Sequence, residues 1–239
     1  MIQTKMKSLR QDLLSFGRDF ESKNWQGKEA PPPFIELINV SFHAMMEPTI
    51  ELAQKATNAN QPWADLHFDE RVSGEPLNPP PSHVKWNIKT EEYLSGEKFS
   101  HSYPERIWPK SLMPNGIRFA TADLNDLVEL IKSDSTTRQA YLPIFYPEDL
   151  SAARMNERVP CTLGWHFMIR DNLMHCHYPI RSCDAVRHFH NDVYFANRLT
   201  LWIIEQTGLN VKPGELFMNI TSFHCFKNDV YALQKLIRR

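Results

Sequence analysis

From residue 161 to 169 apolar side chains recur at every second position. Cys161, Leu163, Trp165, Phe167 and Ile169 are separated by Thr162, Gly164, His166 and Met168, and a period of two places the first set on one face of a strand. Arg170-Asp171-Asn172 reads as a turn, after which Met174, Cys176, Tyr178 and Ile180 alternate again. The pattern predicts a long hairpin that Cys161 opens and Arg181 closes, so these two residues meet at its open end. Val193, Phe195, Ala196, Leu199, Leu201, Trp202, Ile203 and Ile204 then predict a helix over 193–206 that is apolar nearly all round and therefore buried, with Gly208 as its stop. Asn191 and Asp192 stand at its start, where a polar side chain can cap or anchor. Residues 217–226 read as a last strand.

Upstream the pattern is looser. Leu9, Leu13, Leu14 and Phe16 predict a docking helix over 7–20, residues 34–42 have the β-branched, alternating character of a strand, and 47–58 suit a helix. Pro76 and Pro79 to Pro81 exclude regular helix or central strand, because proline lacks the amide donor and fixes φ, so 76–81 reads as a surface or active-site loop. A helix over 124–132 and a short strand over 141–145 complete the prediction.

Composition narrows the function classes. A chain of 239 residues, 42% hydrophobic, can bury a substantial core. A formal charge of −1 supplies no global attraction for nucleic acid or an anionic membrane, so any phosphate must be bound locally. No run reaches the roughly 18 apolar residues of a membrane span, and the N-terminus lacks a signal-peptide pattern; a cytoplasmic protein is expected. Cys161, Cys176, Cys183 and Cys225 show no CxxC spacing and read as thiols. His175/His177 and His188/His190 invite a metal reading, but no cysteine or carboxylate set completes a site, and none is expected.

The chemistry-bearing residues fall in a telling order. Val159-Pro160-Cys161 is followed after the hairpin by Arg181-Ser182-Cys183-Asp184, then Asn191-Asp192, then His224-Cys225-Phe226. Upstream lie Ser135-Thr136-Thr137-Arg138 and Tyr103-Pro104-Glu105-Arg106-Ile107-Trp108. This series resembles the thymidylate synthase superfamily, most specifically over residues 135–226. The resemblance implies a single α+β domain spanning 1–239, with a large mixed sheet and flanking helices, paired sheet to sheet as a homodimer. It implies that Cys161 adds to C6 of a pyrimidine nucleoside monophosphate, making C5 nucleophilic toward the one-carbon unit of 5,10-methylenetetrahydrofolate. A thiolate suits that task as both nucleophile and leaving group.

Other roles follow from the same resemblance. Arg181 and Ser182 would hold the phosphate, Arg138 would reach the partner's phosphate across the dimer, Asp184 would sit near the pyrimidine carbonyl, and His224 would hold the sugar. Trp86, Tyr103 and Trp108 are expected in the folate pocket. Thr137 stands where the family usually has a first arginine, which implies weaker phosphate binding or help from a cation such as Lys28. The tyrosine of the family's His-x-Tyr pair is Phe226 here. For the proton-relaying glutamate, Asp65 in Trp63-Ala64-Asp65-Leu66-His67-Phe68 fits the family's pattern first and Glu70 second.

Asp192 bears on the base. Eight residues after Asp184, the uracil-specific members carry Asn, whereas the deoxycytidylate hydroxymethylases of T-even phages, which this position resembles, carry Asp. A carboxylate accepts from the cytosine 4-amino group but meets uracil O4 lone pair to lone pair. The chain ends thirteen residues past Phe226, where methylating members continue to a tail that closes over the folate. The expectation is therefore C5 hydroxymethylation of dCMP or CMP, suited to a phage or to a nucleoside pathway. The alternatives are a dCMP or dUMP methyltransferase and a catalytically inactive nucleotide-binding homologue.

Overall fold

A computed structural model describes residues 1–22, 24–25, 28–29, 32–86, 94–108 and 122–238. Helix α1 (Ile2–Phe16) begins five residues before the predicted 7–20 segment and buries the stripe Ile2, Met6, Leu9 and Leu13. It ends at Gly17, where a Cβ would collide with the Leu13 carbonyl, so only glycine lets the chain turn directly into β1 (Arg18–Phe20). A short ladder of β2 (Asn24–Trp25) and β3 (Lys28–Glu29) follows. Strand β4 (Phe34–Met45) runs three residues beyond the predicted end.

Helix α2 (Ile50–Thr57) starts at Thr49, whose hydroxyl accepts from the Leu52 amide at 3.3 Å. Helix α3 (Trp63–Arg71) leads through the proline-rich loop to a 3-10 turn, Pro81–Lys85. The hairpin of β5 (Leu94–Ser95) and β6 (Lys98–Phe99) precedes α4 (Tyr103–Ile107) and α5 (Leu124–Ser133), both opened by reciprocal capping boxes, Ser102 with Glu105 and Asp123 with Asp126. Then come β7 (Tyr141–Pro143), α6 (Asp149–Arg154), β8 (Gly164–Arg170), β9 (Leu173–Asp184), α7 (Phe189–Thr207), β10 (Lys212–Phe226) and α8 (Val230–Arg238).

The six-stranded sheet has the order β1-β4-β10-β9-β8-β7. β10 and β9 pair in parallel while their other neighbours run antiparallel, giving a mixed sheet. The parallel pair follows from connectivity, since α7 must cross from one end of β9 to the start of β10. The hairpin of β8 and β9 closes on Asp171 and Asn172 at φ 52° and 58°, the left-handed pair of a tight two-residue turn. Two further boundary differences bear on the site. β8 begins at Gly164, leaving Cys161 in the segment that enters it, joined to the sheet by the single bridge Thr162–Ile180. α7 begins at Phe189, so Asp192 lies inside its first turn, its amide donating to the His188 carbonyl at 2.9 Å. Asp192 is therefore not the helix cap.

One sheet face carries Phe42, Leu216, Met218, Ile220, Tyr178, Trp165 and Phe167, all buried, with α1 and α7 packed against the sheet. Burying each such side chain is worth roughly 1.5–3 kcal/mol. The opposite face carries a row through paired positions of five strands, His43, Phe217, His177, His166 and Tyr141. Phe217 and Tyr141 are 39% and 41% exposed there, beside Ile38 at 67% and Met45 at 43%. That is an apolar and aromatic surface larger than scattered exposure explains.

Candidate active site

The open end of the β8–β9 hairpin, the start of α7 and helix α3 enclose one cleft. Cys161 reaches it from the loop before β8. The Arg181 amide donates to the Cys161 carbonyl at 2.9 Å, bringing the two predicted partners together. The Arg181 guanidinium turns inward, Nε donating to the Pro160 carbonyl and Nη2 to that of Val159, both at 2.9 Å. It thus pins the cysteine loop, and the cations lining the cleft are Arg158, Arg187 and Arg71, none of them singled out from the sequence. Burial pushes the Cys161 thiol above its ordinary range, opposed by the positive charges of Arg181 and Arg158.

Ser182 and Asp184 follow Arg181 along β9 and line the same cleft. Asp184 is committed to the turn into α7: Oδ1 accepts from the amides of Val186 and Arg187 at 2.8 and 2.9 Å, and the Arg187 Nε stands 3.7 Å from Oδ2. Arg187 itself pairs with Asp229 at 2.6 Å. His224, on β10, packs between Phe34 and Phe226 with ring centroids 5.4 and 5.6 Å away. Its Nδ1 is buried without a hydrogen-bond partner among the described residues, an atom suited to a ligand hydroxyl.

Asp192 faces the cleft from α7, accepting from the Cys183 thiol at 3.5 Å. Burial pushes its carboxyl up to about 7, against the pull of Arg71 and of hydrogen bonds from Cys183 and Tyr178. Arg71 is 7% exposed. Its guanidinium lies between the rings of Tyr103 and Phe195, 4.2 and 4.1 Å from their centroids, and its Nε is buried without a partner among the described residues.

Helix α3 presents Trp63, His67 and Arg71 to the cleft at intervals of four. Asp65 lies off that face. Its carboxylate accepts from Arg198 Nη1 at 2.9 Å and Gln54 Nε2 at 2.7 Å, and from the Tyr194 hydroxyl. Asp65, the first expected proton relay, is instead held in an ion pair with Arg198 of α7 and does not line the cleft. Glu70 stands one step behind the cleft, accepting from the Ser82 amide at 2.5 Å and lying 3.3 Å from His67 Nδ1. Burial would raise its carboxyl, but these bonds outweigh it and hold it below the ordinary range. His67 itself is lowered to about 4 by burial and by Arg71, so its ring is neutral.

Of the expected folate contacts, Trp86 and Tyr103 line the cleft and Trp108 does not. Trp108 is buried, its indole nitrogen donating to the Arg71 carbonyl at 2.8 Å, where it fixes the end of α3. Trp86 stacks on Trp63 at 4.6 Å and 9°, and Trp63 stacks on His67 at 5.0 Å and 16°. This wall of rings fits a flat heteroaromatic ligand. Arg138 is exposed and outside its own chain's cleft, its carbonyl 3.0 Å from His166 Nε2 on the uncovered sheet face. The Lys28 side chain lies outside the described residues. His67 and Arg71 had a legible signal, their spacing of four and eight from Trp63; Arg158, three residues before Cys161, had only its proximity.

A family model described as thymidylate synthase matches residues 94–239. Proteins described as "Putative thymidylate synthase" from Methanosarcina mazei and Methanococcoides burtonii are 26% and 24% identical over 168 and 166 residues, covering 66% of this chain and 71% of each relative. The solved structure of the thermostable thymidylate synthase A from Bacillus subtilis superposes with a TM-score of 0.73 at 15% identity, covering all of this chain and 84% of that one. Its likeness is one of fold.

Proposed function

The chain belongs to the thymidylate synthase family, whose members are folate-dependent one-carbon transferases, and from that premise we propose that it hydroxymethylates C5 of a cytosine nucleoside monophosphate. The observation that carries the reading is Asp192, an acceptor turned into the cleft that also holds Cys161. As a carboxylate it takes a proton donor and refuses a lone pair, which selects the cytosine 4-amino group over uracil O4. The hydroxymethyl product rests on the same residue, through its likeness to the phage hydroxymethylases.

Each step falls to a group in the cleft. Arg158, Arg187 and Ser182 offer phosphate contacts, with Arg138 added from a second copy paired through the uncovered sheet face. The unpartnered His224 Nδ1 meets a sugar hydroxyl. Cys161, once ionised, adds to C6. The co-substrate 5,10-methylenetetrahydrofolate supplies the one-carbon unit, and Trp86 and Tyr103 would flank its rings. The neutral His67, backed by Glu70 and Ser82, is the cleft's proton acceptor in place of Asp65; its free ring, lowered to about 4, is unprotonated at neutral pH and can take a proton directly or through water.

Product mass tests the reading. Incubation with methylenetetrahydrofolate and dCMP, CMP, dUMP and UMP should add about 30 mass units to a cytidylate, against about 14 for a methyl group formed in a water-excluding site. Asp192→Asn should shift preference toward uracil by about 10- to 100-fold, the range of a reversed polar contact. A second reading, methyl transfer to a uracil nucleotide, is favoured by the carboxyl of Asp192 raised to about 7: when protonated it can donate to O4 and accept from N3–H, as an amide does.

A further inference from the structure

The cleft holds a cation that no contact within the described residues explains. Arg71 is buried against Tyr103 and Phe195, and its Nε lacks a hydrogen-bond partner. No carboxylate of the described residues lies within ion-pair distance of it. Burying a guanidinium without acceptors is unfavourable unless a partner offsets it. Two rings hold its faces, which recovers part of the cost and fixes its plane. Trp108 holds its backbone carbonyl at 2.8 Å. Asp192, on the facing helix, is among the negative charges it senses. An arginine so fixed, with donors unspent, is built for an acceptor on a ligand.

We infer that Arg71 is a specificity-determining and catalytic residue that donates a hydrogen bond to N3 of the pyrimidine while Asp192 accepts from the exocyclic 4-amino group. The inference rests on the reading of the cleft as a cytosine-nucleotide site. A cytosine presents a donor at C4 beside an acceptor at N3, and Asp192 and Arg71, which both line the cleft, offer an acceptor and a donor to complement that pair. The same bond serves the reaction. When the Cys161 thiolate forms the S–C6 bond, the C5=C6 electron pair shifts to C5=C4 and the C4=N3 pair moves onto N3 as a lone pair. Negative charge therefore develops on N3, the atom to which Arg71 would donate, and a fixed cation there stabilises that state more than the ground state.

The test separates the base from the rest of the nucleotide. Calorimetry compares dCMP with 2-deoxyribose 5-phosphate on the wild-type protein, Arg71→Gln and Arg71→Lys. Arg71→Gln should weaken dCMP at least about 10-fold and the sugar phosphate less than about 2-fold, with Arg71→Lys between, because lysine keeps the charge and loses the planar fork. Equal changes for both ligands, or none, would overturn the assignment. Should Arg71→Gln fail to fold, a crystal structure of the wild-type dCMP complex decides: a guanidinium nitrogen within about 3.2 Å of N3 supports the role, and one beyond about 4 Å removes it. Tritium release from 5-labelled dCMP by the wild-type protein tests the enzymatic reading separately. Its absence would sink that reading while the binding comparison still decides Arg71.

Discussion

The amide of Arg181 donates to the carbonyl of Cys161 at 2.9 Å, across the mouth of a hairpin whose turn lies at Asp171 and Asn172. The whole hairpin from Cys161 to Arg181 thus holds one thiol in place, and the Arg181 side chain reinforces the hold through Val159 and Pro160. Cys161→Ala should leave nucleotide binding within about 3-fold and lower tritium release at least about 10³-fold, as loss of a covalent nucleophile does. Retained exchange would place the nucleophile elsewhere.

Base choice should depend on pH. The carboxyl of Asp192 is raised to about 7, so the protonated form, which pairs with either base, dominates below that value and the uracil-rejecting carboxylate above it. The ratio of kcat/KM for dCMP over dUMP should therefore rise as the pH passes from about 6 to 8. In folding the sign is opposite: a raised carboxyl contributes stability at low pH that is lost as pH climbs through about 7. Asp192→Asn should flatten both dependences, and a pH-independent ratio in the parent would remove Asp192 as the reader.

Asp65 should matter for folding and not for turnover. Asp65→Asn leaves Arg198 buried without its nearest carboxylate, a loss of about 1–3 kcal/mol. Chemical denaturation should show that loss while kcat stays within about 2-fold. A collapse of kcat in a stable variant would return Asp65 to the proton relay.

If Arg138 completes the partner's site, Cys161→Ala and Arg138→Ala chains, each inactive alone, should regain about a quarter of wild-type activity when unfolded and refolded together, since half the dimers are hybrids with one intact site each. Phe217→Glu on the uncovered sheet face should yield monomers by ultracentrifugation. Activity in such monomers would mean that each chain is sufficient.

The hairpin was legible because alternation over two strands and an Asp-Asn turn point the same way. The start of α7 was not, because His188 and Asn191 and Asp192 are polar for the sake of the cleft and so look like loop. Helix α3 shows the same effect. Its cleft face reads Trp63, His67, Arg71, and the polar members hide an apolar stripe, while Asp65, which fits the family's pattern, lies two positions and about half a turn away. The spacing of Arg71 from Trp63 and His67 puts it on the same helix face, but an arginine ordinarily belongs on the surface, and only its burial by Tyr103 and Phe195 distinguishes it.

The wall formed by His67, Trp63 and Trp86 has an optical consequence. Two indoles 4.6 Å apart and nearly parallel share the boundary of the cleft, with Trp86 at its edge, so a planar molecule that inserts beside them alters both their solvent exposure and their mutual quenching. The protein thereby carries its own fluorophore at the point of ligand entry, and the order in which nucleotide and folate arrive can be timed from its emission without any label.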